Sequence, residues 1–169
     1  MEPVLQKVTT EFSPEEDRLR IAGVTEDGQQ AVVWLTRRML GMLLPLLVKQ
    51  LDEQFLSATP EHRDVLQEFA QQAAQDALDV GVEPVKAQQD AMTLLPLNVD
   101  LATMENGLLL TFRTDPGTGF RLPLSGDSLR QWLHILYKAH TAANWQLPQW
   151  PAWLTGTPET ENVHFGVRH

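Results

Sequence analysis

Arg37 and Arg38 stand side by side at the expected first turn of a helix. Two guanidinium groups beside the free N–H groups of a helix start suit an anion, a phosphate or a carboxylate. The helix dipole disfavours cations at that end. The pair therefore marks either a small anionic-ligand site or arginines that meet the nearby acids Glu15, Glu16 and Asp17, or solvent. Histidine offers less. His134 and His140 are six apart, about 600° of helical rotation, so their rings diverge by about 120° and cannot readily share a metal. His62, His164 and His169 are isolated, and no HExxH pairing is present. The run Glu15–Glu16–Asp17 reads as a solvated loop, because a carboxylate pair for acid–base work needs a cleft and two unlike environments. No serine sits in a nucleophile elbow, and the glycine-containing turns lack the spacing of a phosphate loop. The expectation is a chain that is not an enzyme and holds no metal or cofactor.

Aromatic residues point to surfaces instead. Trp145, Trp150 and Trp153 are three of the five tryptophans, and Pro148 and Pro151 between them have PxxP spacing, which favours extended backbone. Either this stretch covers the protein's own core, or it is a strip that binds a protein partner.

Local sequence chemistry places these residues on elements. Alternating residues from Arg18 to Leu35 around Asp27-Gly28 predict a hairpin. Thr36 is placed to cap a helix running to about Gln54, with Pro45 inside it and the small Gly41 four residues before. Side chains 39–48 are apolar on nearly all sides, which predicts burial or pairing with another helix. Thr59 caps a second helix, with Val65, Leu66, Phe69, Ala73, Ala77 and Leu78 on its expected core face and Gln, Asp and Glu opposite. Pro84 predicts a short helical piece over 84–92. Asn106-Gly107 predicts a two-residue turn between strands of about 97–104 and 108–114. A third strand follows at 119–124, and Ser125 caps a helix to about His140.

The two strand–helix corners match at a spacing of 89 residues: Leu19 with Leu108, Thr25 with Thr114, Gly28 with Gly117, Leu35 with Leu124, Thr36 with Ser125, and Leu40, Leu44 and Leu47 with Leu129, Leu133 and Leu136. The predicted fold class is α+β. Two meander or hairpin–helix units, about 3–54 and 97–141, carry antiparallel sheet as a pseudo-repeat, joined by an acidic helical connector over 58–95. Residues 1–154 form one domain, with an extended Trp/Pro-rich C-terminal stretch, and 155–169 are expected to be a loosely ordered tail.

Bulk composition narrows the function. The chain has 169 residues, 43% of them hydrophobic, enough for a core of its own. A net charge of −9 and a pI near 4.9 argue against nucleic acid and anionic membrane. The apolar run Met39–Val48 falls well short of the roughly 20 residues a membrane helix needs. The absence of cysteine excludes disulfides and thiolate chemistry and suits a reducing compartment. No signal-peptide pattern is seen at the start, so a cytoplasmic location is expected. The resulting expectation is a protein-interaction module, an adaptor or accessory subunit, that binds a protein partner and forms a homodimer.

Overall fold

A computed structural model describes residues 2–78, 81–115 and 118–156. Alternation in the first third becomes an antiparallel meander: β1 (Leu5–Ser13), β2 (Arg18–Thr25) and β3 (Gln30–Leu35). The β2–β3 turn closes on Gly28, whose φ of +86° is the left-handed conformation that favours glycine. The Thr25 hydroxyl accepts from Gln29 N at 3.1 Å, which ties the turn together. β3 leads into α1 (Arg37–Asp52), where the Thr36 hydroxyl accepts from Met39 N and the helix runs on through Pro45. A single 3-10 turn, Glu53–Phe55, precedes α2 (Pro60–Asp76), capped by Thr59 with Pro60 in its first turn.

The second meander is β5 (Asn98–Met104), β6 (Gly107–Asp115) and β7 (Thr118–Ser125), followed by α3 (Gly126–Ala143), capped by Ser125. The fold is α+β, with a four-stranded sheet of order β1-β2-β3-β4, where β4 is the short strand Met92–Leu94, and a three-stranded sheet of order β5-β6-β7. The two sheets meet where Val4 forms a parallel bridge with Arg121, and Arg121 N donates to Pro3 O at 2.8 Å. α3 crosses back onto the first sheet, and Trp132 Nε1 donates to Thr10 Oγ1 at 3.0 Å. Leu19, Ile21 and Val33 from one sheet, Leu110 and Phe112 from the other, and Leu44 and Leu133 from the helices join in one core.

Three local expectations are corrected. The β5–β6 turn is Glu105-Asn106, and Gly107 is already paired with Met104. Gly107 answers to packing rather than to turn geometry, since a Cβ there would lie 2.0 Å from the Leu124 carbonyl oxygen of β7. Residues 84–92 are not helical. They cross the outer face of the first sheet, where Val85 N donates to Thr9 Oγ1 at 2.8 Å and Arg20 Nη2 to Ala87 O at 3.3 Å. They end in β4 (Met92–Leu94), an edge strand parallel to β3. That crossing buries β3 on both faces.

The third correction concerns α2. Its buried residues are Gln67, Gln71 and Ala74, while Val65, Leu66 and Phe69 face solvent, Phe69 at 72% exposure. The glutamine side faces inward because it has partners there. Gln67 Nε2 donates to Leu51 O at 3.0 Å, and Gln71 Nε2 to Arg130 O at 2.9 Å.

Candidate functional site

The inward glutamines of α2 meet Arg130, a basic residue of α3 that is only 2% exposed. Its Nη2 donates to Gln67 Oε1 at 2.7 Å and to Gln54 Oε1 at 3.1 Å. The guanidinium lies 5.6 Å from the Trp153 ring centroid and 6.0 Å from that of Phe55. Burial pulls its pKa below the ordinary value, and the Asp127 and Asp52 charges pull it back. No ion pair to Arg130 is found among the described residues, and its Nη1 and the Oε1 of Gln71 are buried without a hydrogen-bond partner.

Above this layer two open grooves run along the flank of α2. One, of about 620 Å3, lies between α2 and α3 and is lined by Phe69, Gln71, Gln75, His134, Tyr137 and Lys138. The other, of about 560 Å3, lies toward the end of α1 and is lined by Val48, Asp52, Pro60, Asp64 and Pro151. Glu68, Trp153 and Gly156 line both, so the two form one trough divided at Trp153. Its charge is acidic toward α1. Arg63 is spent on its own chain, donating to the carbonyls of Phe55, Leu56 and Ala58 at 3.2, 3.4 and 3.2 Å. Among the described residues the α2 carboxylates Glu61, Asp64, Glu68 and Asp76 have no ion-pair partner. His134 in the α3 wall is held below its ordinary pKa by burial and by Lys138.

The tryptophans singled out in the sequence do not form one strip. Trp145 is buried at 5% exposure, edge-on to Phe12 at 6.0 Å, with Nε1 donating to Asp17 Oδ1 at 3.3 Å. Trp150 packs on Tyr137 and on His140, 5.1 Å between centroids in each case. His140 Nε2 accepts from Leu147 N at 2.8 Å, which fastens the segment after α3 to the helix. A Cβ on Gly41 would lie 3.8 Å from Leu147 Cδ2, so this segment runs against α1 where α1 is narrowest. Pro148 is exposed, and Pro151 caps the short helix α4 (Ala152–Thr155), which sets Trp153 over Arg130. Residues 157–169, including His164 and His169, lie outside the described residues.

Arg37 and Arg38 are both exposed, and neither lines the trough. Arg38 Nη1 reaches Met42 Sδ at 3.4 Å. No group of three or more metal-ligating side chains occurs among the described residues. No helix among them is long and apolar enough to cross a membrane. Sequence inspection missed Arg130, Gln67 and Gln71. The readable signal was the Gln67–Gln71–Gln75 spacing, an amide stripe with the same helical period as the apolar one. Comparison with family models, with curated proteins and with solved structures gave no match.

Proposed function

We propose that the chain is a non-catalytic protein-interaction module, an adaptor or accessory subunit, whose docking face is the outer side of α2. One observation carries this reading: α2 turns amides to the core and leaves Val65, Leu66 and Phe69 in solvent. An apolar stripe that the fold itself leaves uncovered is suited to a partner. The two strand–helix units, taken as copies of one ancestral unit, are the scaffold that holds α2 across their helices. A cytoplasmic setting fits the lack of cysteine, and the acidic charge disfavours nucleic acid.

Self-association belongs to the same reading on a separate surface. On α1, Met42 and Leu46 are 58% and 51% exposed, with Pro45 exposed between them. This strip is the surface for a homodimer. Light scattering tests it: the intact chain gives twice the 19.1 kDa mass, and Met42→Gln with Leu46→Gln returns it to the monomer.

The docking face is tested with Val65→Ser and Phe69→Ser together. Unfolding free energy should change by no more than about 0.5 kcal/mol, since both side chains are at the surface. A photo-crosslinker at position 69 should give a discrete adduct in the native cell extract, and the same group at Glu105 should not. A stability loss of about 2 kcal/mol or more, or equal labelling from both positions, would overturn the reading.

A further inference from the structure

We propose that the occupant of the α2 face is a basic amphipathic helix of another protein, its apolar side on Val65 and Phe69 and its Lys or Arg side chains in the trough. This rests on the docking reading above and specifies the partner. Three of the four α2 carboxylates lie to one side of the apolar stripe, and the fourth, Asp76, falls in line with Phe69 two turns further on. At 100° per residue, Glu61, Asp64 and Glu68 fall together beside Val65 and Phe69, and Asp64 and Glu68 line the trough. Asp52 of α1 lines the same groove as Asp64 and Glu68. The base in that groove, Arg63, is already occupied by three backbone carbonyls.

A second, independent feature points to a donor from outside. Gln71 lines the trough, is 1% exposed, and its Oε1 has no hydrogen-bond partner among the described residues. A partner cation in the α2–α3 groove supplies a donor for it beside Glu68, where Lys138 and His134 are the basic side chains of the same lining. A second cation in the neighbouring groove meets Asp64 and Glu68. Trp153, which separates the grooves, already stacks over one guanidinium, that of Arg130. A helix is the fitting form of the partner because it satisfies its own backbone, and the flank of a helix offers no ladder of free N–H and C=O groups to an extended chain. α2 is about 25 Å long, which a partner helix of equal length would cover. A second copy docking here would set Glu61, Asp64, Glu68 and Asp76 against themselves, and nucleic acid or an anionic membrane would meet the same repulsion.

The test uses the full chain and two synthetic helical peptides with the same leucine positions, one flanked by lysine and one by glutamate, read by fluorescence anisotropy at low and high salt. The lysine peptide should bind, more weakly as salt rises, and the glutamate peptide should not. Asp64→Lys with Glu68→Lys, both exposed, should weaken the lysine peptide by about tenfold or more and admit the glutamate peptide. Phe69→Ser should weaken the lysine peptide while leaving the fold, checked by circular dichroism, intact. Equal binding of both peptides, lost in Phe69→Ser, would leave the docking face standing and overturn the basic partner. Lysine-peptide binding indifferent to Phe69→Ser, or no binding of either peptide, would overturn the inference, and the crosslink at position 69 then decides the docking reading on its own.

Discussion

Arg130 Nη2 and Gln67 Oε1 lie 2.7 Å apart inside the protein, a charge held by an amide with no carboxylate paired to it. The arrangement joins three helices, since Gln54 follows α1, Gln67 is on α2 and Arg130 is on α3. Arg130→Met removes the donor and strands the Oε1 of Gln67, which is fully buried. The expected loss is about 2–3 kcal/mol by urea unfolding. Gln67→Leu alone should also be costly: the Leu51 carbonyl keeps the Glu53 N–H, but the buried Arg130 Nη2 is left with Gln54 Oε1 as its acceptor. The double variant should lose clearly less than the two singles combined, as replacing both partners with apolar groups leaves no orphan. Strict additivity would show that the pair is not coupled.

Stability should fall on mild acidification through His140. Burial pushes its pKa below the ordinary 6.5, the Tyr137 carbonyl partly offsets this, and the Arg37 charge adds to the lowering. Its Nε2 accepts from Leu147 N, so the folded state needs the neutral ring. As pH drops, the unfolded chain takes the proton first. The contribution is therefore complete above pH 6.5 and is lost as pH falls through the folded value. His134 is shifted the same way and adds to the slope. The lowered carboxyls Glu2 and Asp27 act only in more acid solution, below their ordinary 4.5 and 3.8. His140→Gln keeps an acceptor for Leu147 and should flatten the stability profile below pH 6.5. An unchanged profile would remove His140 from the cause.

Gly107 and Gly28 should respond to alanine for different reasons. At Gly107 the added Cβ would meet the Leu124 backbone at 2.0 Å, so β6 and β7 must separate. The expected loss is about 1–3 kcal/mol. At Gly28 nothing lies within 4 Å of the Cβ, and only the φ of +86° is strained, for about 1 kcal/mol. Thermal unfolding of both variants checks the order. Hydrogen exchange should quicken along β6–β7 for Gly107→Ala and stay at the turn for Gly28→Ala.

Sequence chemistry was legible where it acts over a few residues. The hydroxyl caps at Thr36, Thr59 and Ser125 and the Asp27-Gly28 turn all lie where side chain and backbone decide conformation within one turn. The facing of α2 was not legible, because two stripes share one helical period. Val65 and Phe69 argue for one side and Gln67 and Gln71 for the other. The choice falls to Arg130 and Leu51, residues of other helices that give the amides partners. Gly107 was misplaced for a similar reason: an Asn-Gly pair is read as a turn, whereas here the glycine is demanded by a strand that arrives later in the chain. β4 could not be seen locally either. Its place depends on where the preceding segment lands on β1 and β2.

That segment supplies the last expectation. Val85 N is held by Thr9 Oγ1 at 2.8 Å, and Gln88 N by Gln30 Oε1 at 2.9 Å. β4 beyond it is a three-residue edge strand. Few bonds hold the crossing, so it should open as a unit separate from the core. Thr9→Val keeps the β-branched shape in β1 and removes the acceptor of the Val85 N–H, at about 1–2 kcal/mol of local stability. Hydrogen exchange should then accelerate over 83–94 and on the outward amides of β3, while the thermal midpoint moves little, because the core of Leu19, Ile21, Val33 and Leu44 is untouched. A midpoint that falls in step with the exchange rates would mean that the crossing and the core unfold together, and that β4 is as much a part of the fold as β3.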